Sequence, residues 1–196
     1  MCCRMLVFLA IACSVVAAQA AEAIKTDKAV KLKVKDEAPQ FSGLTDEGEK
    51  WESKEHKGKK IFVVYFYPAD MTPGCTAQAC AYRDALAELE RDDVEVIGVS
   101  GDSVENHQHF RDEYKLNFTL LADPEGTIAE AFGVKTGPGG EFQRTLQDKE
   151  ITFERGVTAK RWTFIIDKDW RIAHVDRKVD AAKDSDKVLK IVEKLQ

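Results

Sequence analysis

Cysteine is scarce beyond the first thirteen residues of the 196-residue chain: Cys2, Cys3 and Cys13 fall there, and only Cys75 and Cys80 lie further on. Two thiols in one short segment do not make a disulfide-stapled miniprotein, and the C-x-x-C spacing of a disulfide exchanger is missing. A basic excess is also missing. With 29 Lys and Arg against 34 Asp and Glu, the net charge of −5 offers no electrostatic footprint for nucleic acid. The longest apolar run, Met5 to Ala18, is shorter than the roughly 20 residues a helix needs to cross a bilayer. Histidine is sparse, with His56, His107, His109 and His174 scattered. His107 and His109, two apart on a helix, face different ways and read as solvated, and His56 and His174 are equally unremarkable as metal ligands. No repeat or low-complexity tract is visible.

What the first twenty residues do contain is one charge, Arg4, then the apolar run, then small residues at Ala18 and Ala20. That layout predicts a secretory signal peptide cut after Ala20, with Ala23 as second choice, and export to the periplasm. A lipid anchor on Cys13 is the weaker alternative. Residues 21–29 read as a flexible leader and 30–196 as one domain, long enough for a core of its own.

Val30 to Val34 alternates and suggests an edge strand. Ile61 to Tyr67 (IFVVYFY) is a continuous apolar run, the pattern of a strand buried on both faces, with Tyr65 and Tyr67 as core residues. Lys57 to Lys60, around Gly58, reads as a turn before it. Thr72-Pro73-Gly74 supplies a capping hydroxyl followed by proline at the first helical position, so a helix starts there, with Tyr82, Leu86 and Leu89 inward. Val94 to Val99 is a second strand, a helix from Gly101-Asp102-Ser103 turns Val104 and Phe110 inward, and a third strand begins at Asn117 and ends at Asp123-Pro124-Glu125-Gly126. Strand, helix, strand, helix, strand implies parallel pairing and an α/β fold. Gly137 to Gly140 reads as a loop, with an added hairpin about 137–158 in which Phe142, Leu146, Ile151 and Phe153 face one way. Thr163 to Asp167 and Arg171 to Val175 pair antiparallel, and a helix from about Ala181 to Leu195 closes the chain.

With Thr72 as cap, Cys75 sits in the first helical turn, where amides lack intrahelical acceptors and the helix end carries partial positive charge. An ordinary thiol is only about 3% thiolate at pH 7, and a helix start raises that fraction. A nucleophilic sulfur attacking a peroxide also needs donors for the oxygens. Thr72 and Arg161, just before an apolar strand, are the candidates.

Pro68-Ala69-Asp70-Met71-Thr72-Pro73-Gly74-Cys75 resembles the P-x-x-x-T-x-x-C signature of peroxiredoxins. The longer blocks YFYPADMTPGCTAQACAYRD, VIGVSGDSVENHQHFRDEYKLNFTLLADPEG and RWTFIID are similar to the bacterioferritin comigratory protein or PrxQ branch. The resemblance implies a thioredoxin-like fold with a central mixed sheet flanked by helices. It implies Cys75 as peroxidatic cysteine, Cys80 as resolving cysteine forming a disulfide with it, and Pro68, Thr72 and Arg161 around the peroxide. It further implies no metal or organic cofactor. A thioredoxin-like thiol reductant as recycling partner and a monomer or weak dimer are separate expectations, which the sequence itself does not encode. On an intact helix, five residues rotate the chain by about 140° and advance it about 7.5 Å, so the helix must unwind for the two sulfurs to join. The plainer readings are a small structural bridge for the cysteines, a simple cap for Thr72 and a surface ion pair for Arg161. Two rival functions stand beside the peroxidase: copper handling through the cysteines and His174, and disulfide exchange.

Overall fold

In the computed structural model, residues 30–89 and 93–195 are described. The expected signal peptide and leader lie outside them.

A short hairpin opens the fold, β1 (Ser42–Thr45) and β2 (Lys50–Glu52), closed by a turn with Gly48 at positive φ. Sequence pattern alone missed it. There follow β3 (Ile61–Phe66), α1 (Pro73–Leu89), β4 (Val94–Ser100), α2 (Val104–Tyr114), β5 (Thr119–Ala122) and a short α3 (Thr127–Ala131). The second half holds β6 (Thr136–Leu146), β7 (Lys149–Ala159), β8 (Trp162–Ile166), β9 (Ile172–Asp176) and α4 (Asp184–Val192). Seven strands form one mixed sheet in the order β2-β1-β5-β4-β3-β8-β9, with β3, β4 and β5 parallel and β8 antiparallel to β3. Together with its flanking helices this is a thioredoxin-like α/β fold.

The apolar run of β3 works because its alternate residues feed different cores. Ile61, Val63, Tyr65 and Tyr67 pack on the side of α1, Phe110 of α2, and Val188 and Val192 of α4. Phe62, Val64 and Phe66 pack on the other side with Phe132, Phe164 and Trp170. Every residue of β3 is buried, as a central strand requires.

The sequence pattern is corrected in several places. Val30 to Val34 is not a strand; the backbone instead turns at Lys35, φ 79, before bridging Arg171 at Glu37. Val104 is only half-buried, and α2 turns Asn106, His107 and Phe110 inward. His107 is therefore a core residue, because it shares a helix face with Phe110, three positions on. Leu195 is exposed, beyond the end of α4.

Gly137 to Gly140 is not a loop but part of β6, paired with β7 from Thr136↔Ala159 to Leu146↔Lys149. A side chain at Gly139 would put Cβ 2.1 Å from the Arg155 carbonyl oxygen, so glycine is what lets the strands meet there. The two-residue tip, Gln147 and Asp148, has positive φ at both positions, the type I′ geometry that suits strand twist. The hairpin lies against the sheet. Gly156 N–H donates to the Gly101 carbonyl at 2.9 Å, Asn106 Nδ2 donates to the Glu154 carbonyl at 2.7 Å, and Phe153 is fully buried. Gly101 has no alternative: a Cβ would fall 2.1 Å from the Val157 carbonyl oxygen.

Candidate active site

The register of β3 with β8 builds the site. Phe66↔Trp162 pairs the end of one strand with the start of the other, so the chain leaving β3 toward α1 and the residue preceding β8 emerge at the same end of the sheet. The first carries Pro68 to Cys75 and the second carries Arg161. Arg161 Nη2 lies 3.1 Å from Cys75 Sγ, and Cys75 is 1% exposed.

Cys75 is the third residue of α1. Pro73 has no N–H, and the Thr76 N–H is bonded to the Thr72 carbonyl at 2.8 Å, leaving the Gly74 and Cys75 amides at the helix end without intrahelical acceptors. The sulfur thus has a guanidinium on one side and the positive end of a helix behind it. Thr72 behaves differently from expectation. Its Oγ1 donates to the Ala69 carbonyl at 3.0 Å rather than toward the sulfur, so the hydroxyl's lone pairs are what it has left to offer. Pro68, partly exposed, begins the same loop.

Arg161 is held from behind. Its Nη1 donates to Gln78 Oε1 at 2.5 Å, and the Gln78 amide is oriented by Nε2 donating to Asp184 Oδ2 at 2.6 Å. The same Asp184 oxygen accepts from Tyr82 OH at 2.6 Å and Thr163 Oγ1 at 2.8 Å. Burial, reinforced by Asp184, pushes Tyr82 well above its ordinary pKa and keeps its hydroxyl a donor. Gln78 and Asp184 escaped the sequence reading. One signal was available: Gln78 lies four residues before the inward Tyr82, and a polar side chain at an inward helical position needs a buried partner.

The loop before Cys75 is held by other groups. Asp70, fully buried, accepts from Tyr67 OH at 2.7 Å and pairs with His107 Nδ1 at 2.7 Å; its backbone N–H donates to Asp102 Oδ2 at 3.0 Å. Burial opposes charge on His107, yet Asp70, with Asp102 beyond it, outweighs burial and raises the imidazole above its ordinary value. Burial, then the like charge of Asp70, pushes Asp102 up to about 6. From the hairpin, Arg144 Nη1 donates to the Met71 carbonyl at 2.8 Å and Nη2 to Tyr114 OH at 2.9 Å.

A model of the AhpC/TSA family matches residues 34–175. The chain belongs to the AhpC/TSA family. Within the family, a putative peroxiredoxin bcp of Coxiella burnetii is 40% identical over 150 residues, 76% of this chain and 91% of that protein. Peroxidoxin BcpB from Mycobacterium tuberculosis superposes with a TM-score of 0.69 at 29% identity, covering 85% of this chain and 99% of that one. A bacterioferritin comigratory protein of Xanthomonas campestris, described for alkyl peroxide reduction in trapped intermediate and ligand complexes, gives 0.64 at 26% identity over 79% and 90% of the two chains. The resemblance read from the Pro68 to Cys75 block therefore extends to family and fold.

Cys80 stands apart from this geometry. It lies on the same unbroken helix, both thiols are free, and Cys80 is partly exposed. Burial raises its thiol pKa, against the pull of Arg83. The disulfide implied by the resemblance is not formed in this state, as the geometry of an intact helix requires.

Proposed function

We propose that the protein is a thiol-dependent peroxidase that reduces hydrogen peroxide or organic hydroperoxides, with Cys75 as nucleophile. The observation that carries it is the Arg161 guanidinium 3.1 Å from a buried sulfur in the first turn of a helix. Cys75, as thiolate, attacks one peroxide oxygen. The O–O bond breaks, sulfur becomes a sulfenic acid, and the leaving oxygen takes a proton to depart as water or alcohol. Arg161 and the Gly74 and Cys75 amides supply donors to the oxygens, while Thr72 Oγ1, its proton engaged by Ala69, accepts from the peroxide O–H. Pro68 borders the peroxide. The alkyl peroxide activity described for the Xanthomonas relative supports the wider substrate range.

Cys80 then resolves the sulfenic acid, and a thioredoxin-like thiol reductant reopens the disulfide. The chain acts as a monomer or weak dimer, exported after cleavage near Ala20. Intact mass and cell fractionation test export, and sedimentation tests the assembly. The catalytic reading is tested by peroxide consumption with alkylation of thiols. Cys75→Ser should consume none, and Cys80→Ser should react once and stall as sulfenic acid. Turnover retained in Cys75→Ser overturns the assignment.

A further inference from the structure

Among the described polar networks, the one on Asp184 is unusual in where it acts. Gln78 and Tyr82 are four residues apart on one face of α1, so they bracket Cys80 in sequence. Both donate to the same oxygen of Asp184, a residue 3% exposed in the first turn of α4. Thr163 of β8 donates to that oxygen as well. One carboxylate therefore ties the stretch of helix between the two cysteines to the sheet and to the closing helix.

We propose that Asp184 is a positioning residue with two linked effects: through Gln78 it holds Arg161 on Cys75, and through Gln78 and Tyr82 together it sets how readily α1 opens between Cys75 and Cys80. The second effect rests on the reading of these cysteines given above. In the resolving step, the Cys80 sulfur attacks the sulfur of the Cys75 sulfenic acid. An S–S bond forms, the S–O bond breaks, and hydroxide leaves to combine with the thiol proton as water. An intact helix keeps the sulfurs apart, so residues between them must leave helical geometry first. Gln78 cannot leave while its amide bridges Arg161 and Asp184. Tyr82, one turn on, holds the far side. Opening then costs these charge-assisted hydrogen bonds, and it also frees the guanidinium after its work on the peroxide is done. Tight anchoring favours reaction with peroxide, and loose anchoring favours closing of the disulfide.

The test uses the full mature chain in four versions: wild type, Tyr82→Phe, Asp184→Ala and Asp184→Asn. The first readout, amide hydrogen exchange of the reduced protein, needs no peroxide chemistry. Exchange of residues 76–82 should quicken about tenfold in Tyr82→Phe, equal to about 1.4 kcal/mol, and further in Asp184→Ala, while α2 residues 104–114 change less than twofold. The second readout is rapid quenching with alkylation and mass spectrometry. Disulfide closing should quicken about tenfold in Tyr82→Phe, with sulfenic acid formation changed less than threefold, whereas Asp184→Ala should also form sulfenic acid about tenfold more slowly. Asp184→Asn, which keeps an acceptor, should fall between wild type and Asp184→Ala. Equal exchange of 76–82 in wild type and Tyr82→Phe, or loosening shared equally by α2, overturns the proposal. Selective loosening without any Cys75–Cys80 disulfide in wild type would instead overturn the resolving role of Cys80 and leave the anchoring role standing.

Discussion

The chain on the two sides of Cys75 is held in contrasting ways. On the N-terminal side, the Pro68 to Thr72 loop is fixed by Asp70, with Tyr67, His107 and Asp102 around it and Arg144 reaching in from β6. These contacts come from the residue just after β3, α2, the β4–α2 connection and the hairpin, and none has to break for the two sulfurs to meet. On the C-terminal side, the buried polar hold on Gln78 and Tyr82 of α1 converges on one oxygen of Asp184, and further ties, Arg83 to the Tyr114 carbonyl and Asn117 to the Arg83 carbonyl, lie past Cys80. The difference teaches a division of labour: the loop that would cradle the peroxide is over-determined, while the buried polar side chains flanking Cys80 on the helix that would have to move share a single carboxylate oxygen.

The sharpest way to break this contrast is His107→Ala, which removes the cationic partner of the buried Asp70 carboxylate and leaves it only the Tyr67 hydroxyl. Thermal unfolding should show a loss of about 3–5 kcal/mol, equivalent to roughly 6–20 °C in Tm, and a loss as small as that of Tyr82→Phe would erase the distinction. Arg161→Met acts where the two regions meet. Removing a donor of this kind should lower kcat/KM for peroxide by about 10²–10³, with Tm moved little, as steady-state assays at fixed reductant would show.

Much of this was legible in advance, and the reasons are local. The Thr72-Pro73-Gly74 start of α1 and the all-apolar β3 are decided by neighbours in sequence, so cap chemistry and periodicity found them. Arg161 beside Cys75 followed from resemblance, and the β3–β8 register supplies its physical cause. The Gln78–Asp184 and Asp70–His107 contacts join residues 106 and 37 positions apart, which no local pattern encodes. His107 misled because a histidine near the start of a charged helix resembles a solvated one until its phase relative to Phe110 is considered. Gly137 to Gly140 misled in the opposite way, since glycine there serves close strand contact rather than a turn.

Asp102 has a folded pKa of about 6 against an ordinary 3.8, so the folded state binds the proton more tightly. Its contribution to stability is full below pH 3.8 and is lost as pH rises through about 6. His107, also raised, contributes below its ordinary 6.5 and loses that contribution as pH rises through its folded value. Asp102→Asn should remove the first of these falls, flattening the Tm profile between about pH 4 and 6 by an equivalent of about 1–2 kcal/mol, and should shrink but not abolish the His107 fall, which rests chiefly on Asp70. An unchanged profile would detach Asp102 from the loop's electrostatics. Smallest of all, Arg144→Met should cost about 1 kcal/mol by urea unfolding and slow peroxide reduction only a few-fold, because Asp70 still holds the loop.

The tip of the β6–β7 hairpin has a practical consequence. Gln147 and Asp148 are exposed while Leu146 beside them is buried, so the boundary between inside and outside falls within a single peptide unit. A fluorophore or short epitope spliced between Gln147 and Asp148 would ride in solvent, three residues from the arginine that grips the loop before Cys75. That splice point would make the enzyme its own reporter, with the strand pair transmitting each loosening of the loop to a dye the chemistry never touches.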